Sequence, residues 1–326
     1  MHHANDSIEN VRECSVRLPT SRKAKWVCAQ TMRRLLLLVP VLLGAAVGET
    51  KESPLPWGED VPRERCERLP GAAWSEYDGG RDCLRYFASA GIDGAATVIV
   101  VLRGDRDSWV ERDPEAIPGN TPSQQTSRAQ VLADKMGYPV ILLSRPGTFG
   151  SSGDHLRRRQ REEFLALNGA LDDIRRDHRI GRFVLLGHSG GATAAAALLT
   201  LGRRDIACAV LTSGAFGLLE RAEAVRRMRG LKSRPGRDLT GLRNPYDPLD
   251  HLDGIARDAS RRIVIIGNAG DQVTPFYLQR RFYEGLIAHR HRADIREAPA
   301  SPPHFHNLAS GVGERAAAQC ANEVRR

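Results

Sequence analysis

The chain is poor in aromatic residues, at 6% of its 326 residues, so a packed interior has to be built largely from aliphatic side chains. The hydrophobic share of 41% still allows a sizeable core and argues against global disorder. Neither a C-x-x-C pair nor the Cys/His spacing of a zinc site occurs, and no metal or other cofactor is expected. Internal repeats and low-complexity tracts are also lacking. The longest apolar run, Leu35 to Val47, is too short to span a bilayer. Charge of one sign is not concentrated either. Of the net +9, residues 1–48 hold +4, from seven basic and three acidic side chains, which leaves a modest +5 for the rest. Those basic residues are scattered beside acids, as in Arg161-Glu162-Glu163. This is the pattern of a solvated surface and not of a nucleic-acid footprint.

Met32-Arg33-Arg34, the apolar run and the small residues Ala45, Ala46 and Gly48 together have the layout of a secretory signal peptide at about 32–48. Residues 1–31 form a polar upstream extension. The expected product is exported, periplasmic or secreted, with no stable membrane span after cleavage and no lipid-anchoring Cys after the run. Of the six cysteines, Cys14 and Cys28 lie upstream of this cleavage region. Cys66 and Cys83 flank a short polar stretch and are expected to pair. Cys208 lies in an apolar run and is expected to be a buried thiol, although pairing with Cys320 is open.

The remainder, residues 49–326, reads as one domain. After a Pro-rich arm (49–65), two short strands flank Asp78-Gly79-Gly80, a hairpin signal. Continuous apolar runs at 97–102, 140–143, 183–186, 207–211 and 263–266 predict strands buried on both faces. Helical patterns alternate with them at 127–135, 158–177, 192–201 and 276–288, and a short strand (293–295) precedes a C-terminal helix from about Ala309. That alternation predicts an α/β fold, a mostly parallel sheet with helices on both faces. Segment 215–260 lacks strands and is expected to be a small cap over the carboxyl edge of the sheet. Its basic residues Arg226, Arg227 and Arg229 are expected on a solvated helix face.

Gly187-His188-Ser189-Gly190-Gly191 follows a strand and opens a helix, which is the setting a G-x-S-x-G nucleophile elbow needs. The serine of such a turn is strained, glycines avoid backbone clashes, and the helix N-terminus adds positive potential. A triad then requires an acid and a histidine later in the chain. Asp271, just past a buried strand, is the candidate acid, the alternative being an Asp that only caps the next helix. His306 is the candidate base and His304 the alternative. The oxyanion hole is assigned to the N–H groups of Gly190 and Asp105, with Gly104 as the alternative to Asp105.

The GHSGG elbow, the loop SRPGTFGSSG (144–153), the stretch DPLDHL (247–252), GNAGDQVTP (267–275) and HFHNL (304–308) resemble the α/β-hydrolase superfamily, in particular catalytic domains of prolyl-oligopeptidase-like and dienelactone-hydrolase-like members. The resemblance covers about residues 95–310. It implies an α/β-hydrolase fold and two-step acyl transfer by a serine hydrolase on a small-molecule ester or a short peptide. Its Asp and His map onto Asp271 and His306. The chain departs from the pattern at Arg103-Gly104, where His-Gly is usual. Two competing readings are a short-peptide serine peptidase and a catalytically degenerate binding protein. Oligomeric state is not legible.

Overall fold

The computed structural model describes residues 52–324. The proposed signal peptide, Cys14 and Cys28 lie outside them. Within this range the chain forms eight strands: β1 (Ala72–Tyr77), β2 (Gly80–Ala88), β3 (Thr97–Leu102), β4 (Val140–Leu143), β5 (Arg182–His188), β6 (Ile206–Thr212), β7 (Arg262–Gly267) and β8 (Ala293–Glu297). They make one sheet in the order β1-β2-β4-β3-β5-β6-β7-β8. Pairing is antiparallel for β1/β2 and β2/β4 and parallel across the rest. The hairpin at 78–80 and all the strand runs read from the sequence are therefore present.

The described residues also form seven α-helices: α1 (Arg63–Cys66), α2 (Pro122–Met136), α3 (Arg161–His178), α4 (Gly190–Thr200), α5 (Leu218–Met228), α6 (Phe276–Ala288) and α7 (Val312–Val324). Side chains alternate across each central strand, so Val98, Val100 and Leu102 face one layer while Ile99 faces the other. The first layer is closed by α3, α4 and α6, the second by α2 and α7. Helix α3 presents Phe164, Leu167, Leu171 and Ile174 inward, one stripe at helical spacing. Helix α4 is buried along its whole length, which its run of alanines permits by letting the backbone lie close to the sheet.

Some boundaries differ from the sequence reading, for local reasons. Helix α2 begins earlier than expected because Thr121 caps the Gln124 N–H and Pro122 occupies the first turn. Helix α7 begins at Val312, after Gly311 (φ 79°), and not near Ala309. Two expectations are corrected. Cys208 is not a thiol: it is bonded to Cys320, which α7 brings to a Cα–Cα distance of 6.2 Å. Cys66 and Cys83 are joined as expected. Arg226 is not on a solvated face. It is buried, and its guanidinium donates to the carbonyls of Arg237 and Asp238 and to Glu223, so that segment 230–240 wraps around it. Arg227 and Arg229 are exposed as expected.

Candidate active site

Register brings the chemistry to one edge. Gly187 pairs with Leu102 and Leu211, and His188 with Thr212, so β3, β5, β6 and β7 end side by side. Ser189 comes next, at φ 56° and ψ −121°, a left-handed backbone that a non-glycine residue adopts only when its surroundings impose it. The surroundings are specific. The Ser189 N–H donates to the Thr212 carbonyl (2.9 Å), and the Ser189 carbonyl accepts from Ala192 N–H (3.0 Å). A Cβ at Gly187 would strike the backbone of Gly191 and Ala192, and one at Gly191 the carbonyl of Leu102. Gly190 is needed for a reason the sequence did not disclose: its Cβ would overlap the Asp105 carboxylate. The first N–H groups of α4 have no partner within the helix and lie just beyond the serine.

Asp271 follows β7 and is buried. Its Oδ1 accepts the N–H groups of Val273 and Thr274, both at 2.8 Å, and its Oδ2 accepts the Thr274 hydroxyl at 2.7 Å. The same Oδ2 lies 2.9 Å from His306 Nδ1. The turn-capping role and the partnership with histidine thus reside in one carboxylate. Burial alone would raise its pKa, but the hydrogen bonds from His306 and Thr274 outweigh that and hold it below the usual range. His304 points elsewhere: it is exposed, and its Nδ1 faces Gln272 Oε1 at 3.3 Å.

The end of β6 ties these pieces together, a feature sequence reading passed over. Thr212 supplies the carbonyl that holds Ser189, and its hydroxyl donates to the Gly187 carbonyl while facing His188 Nδ1 at 3.1 Å. The Ser213 hydroxyl donates to the His306 carbonyl (2.8 Å), and the Ser213 carbonyl lies 3.0 Å from the Thr274 hydroxyl oxygen. The segments that carry Ser189, Asp271 and His306 are therefore anchored on two consecutive residues. The only hint in the sequence is that both are hydroxyl side chains just past an apolar run. The His188 ring lies 5.1 Å from that of His306, and burial, then the neighbouring His306, pushes its pKa down to about 4.

Gly104 backs Ser189, since a Cβ there would come within 3.1 Å of Ser189 Cβ. Next to it the Asp105 carboxylate accepts from Arg145 Nη1 (2.7 Å) and from Arg159, with Arg158 Nε at 3.5 Å. Burial opposes its ionisation, yet Arg159, Arg145 and Arg158 hold its pKa well below the carboxylate range. Arg103 lies over the Phe149 ring, its Cζ 4.0 Å from the centroid, and donates to Gln125 (2.7 Å). A cavity of about 310 Å³ opens beside Gly104 and His188, lined by Leu132, Leu186 and Leu308, with polar groups from Arg103, Arg106, Thr212, Asn307, Ser310 and Glu314 at its edges. That volume suits a small organic group. Among the described residues no cluster of three or more His, Cys, Asp or Glu is placed to hold a metal.

A family model described as alpha/beta hydrolase fold matches residues 115–288. Several solved structures are similar. Est1E from Butyrivibrio proteoclasticus is 12% identical, with 79% of this chain and 100% of that one aligned and a TM-score of 0.52. The Pyrococcus furiosus esterase Pf2001 is 15% identical over 85% of this chain and 97% of that one, TM-score 0.53. The Pyrococcus horikoshii acylaminoacyl peptidase is 18% identical over 78% of this chain but 40% of its own length, TM-score 0.51. Similarity at these identities speaks to the fold. No curated protein matches the chain.

Proposed function

Since the chain belongs to the alpha/beta hydrolase fold family, we propose that it is an exported serine hydrolase cleaving a carboxylic ester through Ser189, His306 and Asp271. The observation that carries this reading is the 2.9 Å contact between His306 Nδ1 and Asp271 Oδ2, made at the same sheet edge as the strained Ser189. In the proposed cycle, the Ser189 hydroxyl attacks the substrate carbonyl carbon while His306 Nε2 takes its proton. Asp271, on Nδ1, keeps the productive tautomer and stabilises the imidazolium. The N–H groups of Gly190 and Asp105 receive the oxyanion. Collapse of the tetrahedral intermediate expels the alcohol, which takes the proton from His306. Water then repeats the sequence on the acyl-enzyme, releasing the acid and regenerating Ser189.

The largely apolar lining of the cavity beside Gly104 supports a small or medium uncharged group at that position. Short peptides or amides are the second reading, favoured by the likeness to an acylaminoacyl peptidase. Export is supported by the two disulfides, which persist in oxidising compartments. A fluorophosphonate probe on the folded chain, followed by p-nitrophenyl esters of graded length beside aminoacyl-nitroanilides, tests the proposal. Labelling of Ser189 and turnover of esters is the expected result. An unlabelled Ser189 would reduce the protein to a binding module on a hydrolase fold. N-terminal sequencing of the native protein tests export, which a mature N-terminus upstream of Met32 would refute.

A further inference from the structure

Behind the oxyanion loop lies a second, much smaller cavity of about 10 Å³. Five of its lining side chains each carry a buried polar atom with no protein partner among the described residues: Arg103 Nη2, Arg106 Nε, Ser144 Oγ, Arg145 Nη2 and His155 Nδ1. All five can donate. The guanidinium nitrogens only donate. His155 Nε2 accepts the Arg106 backbone N–H at 3.1 Å, so the ring proton sits on Nδ1. Burial, then Arg145, pushes the His155 pKa down to about 2, and the ring stays neutral with that one donor.

The charge around the cavity is unbalanced in the same direction. Arg145 is matched by Asp105 and Glu163. Arg103 and Arg106 form no ion pair among the described residues and rest instead on the rings of Phe149 and Trp109. Burial, then Arg106 and Arg128, drags the Arg103 pKa down to about 9, the mark of a cation short of negative charge.

We propose that this cavity is a binding site for a single halide ion, chloride in physiological media, held by Arg103, Arg106, Ser144, Arg145 and His155. A water molecule accepts through two lone pairs and would leave most of these donors unsatisfied, at a cost for each. A monoatomic anion accepts from all directions and supplies the missing charge. The small volume favours a monoatomic anion over carboxylate, phosphate or sulfate. Gly104 lines this cavity and also backs Ser189 Cβ, so the ion would brace the oxyanion loop from behind.

The test is crystallographic and thermal, and needs no activity. Crystals of the protein soaked in sodium bromide and measured at the bromine edge should give an anomalous peak bounded by Arg103, Ser144, Arg145 and His155. The unfolding midpoint of the full-length chain should rise with chloride or bromide relative to gluconate at equal ionic strength. In Arg103→Gln the halide concentration for half the effect should increase about tenfold or more, the loss of one charge-assisted hydrogen bond. If that variant fails to fold, the wild-type bromide map decides alone. A map without a peak in the cavity, or with peaks only on the surface (adventitious ions only), overturns the proposal. So does a midpoint that gluconate raises equally.

Discussion

At the residue scale the site makes sharp demands. Ser189→Ala should abolish turnover, and His306→Ala should match it while His304→Ala retains most activity, because His304 faces Gln272 and not Asp271. Steady-state kinetics on one ester decides this, and the reverse ranking of the two histidines would refute the assignment. Asp271→Asn should cost about 10⁴-fold in kcat by favouring the wrong imidazole tautomer. Asp105 belongs to a different class. Its carboxylate neutralises Arg145 and Arg159 inside the fold. Asp105→Asn is expected to lower stability by about 3–5 kcal/mol, the usual result of leaving a buried charge unmatched, measurable by urea titration. A change below 1 kcal/mol would mean that solvent screens the cluster.

At the scale of elements the strand-turn-helix of β5 and α4 is the unit that matters. Its glycines are fixed by neighbours from other strands: Gly191 by the carbonyl of Leu102 on β3, Gly190 by Asp105 just beyond it. Gly191→Ala should therefore prise β3 from α4. We expect mostly insoluble protein, and in any soluble fraction a large fall in unfolding midpoint. Retention of wild-type stability would contradict the observed packing. The end of β6 acts similarly as a shared anchor, since Thr212 and Ser213 hold the backbones of Ser189 and His306.

At the scale of the whole molecule, redox state and pH are the levers. The Cys208–Cys320 bridge closes a separation of 112 residues and ties β6 to α7, while Cys66–Cys83 closes 17. On chain-entropy grounds the longer loop gives the larger stabilisation, about 4–5 kcal/mol against about 3. Cys208→Ala/Cys320→Ala should thus lower the unfolding midpoint more than Cys66→Ala/Cys83→Ala in calorimetry. Acidification should also destabilise. His188 and His155 are neutral in the fold with pKa values driven to about 4 and about 2, whereas in the unfolded chain they titrate near 6.5. As pH falls below about 6.5 the unfolded state binds these protons first, so stability drops by about 1.4 kcal/mol per pH unit for each histidine. Asp105 and Asp271, both held low in the fold, add to the loss once the pH enters the carboxylate range. A stability plateau from pH 7 to pH 4 would refute this.

Local pattern by itself determined the alternation of strands and helices, the elbow around Ser189, and the candidate acid at Asp271. These depend on periodicity, on glycine at tight turns and on position just after a buried strand, all of which act over a few residues. Tertiary structure alone decided which histidine meets Asp271, because His304 and His306 are two residues apart and only the path of the loop after β8 separates their surroundings. The same holds for Cys208, whose partner lies 112 residues away, and for Arg226, buried by a loop that folds back over it. The guanidinium groups of Arg103, Arg106 and Arg145 come together from two separate connections, β3 to α2 and β4 to α3. Their meaning lies in distances and burial, which a sequence does not carry.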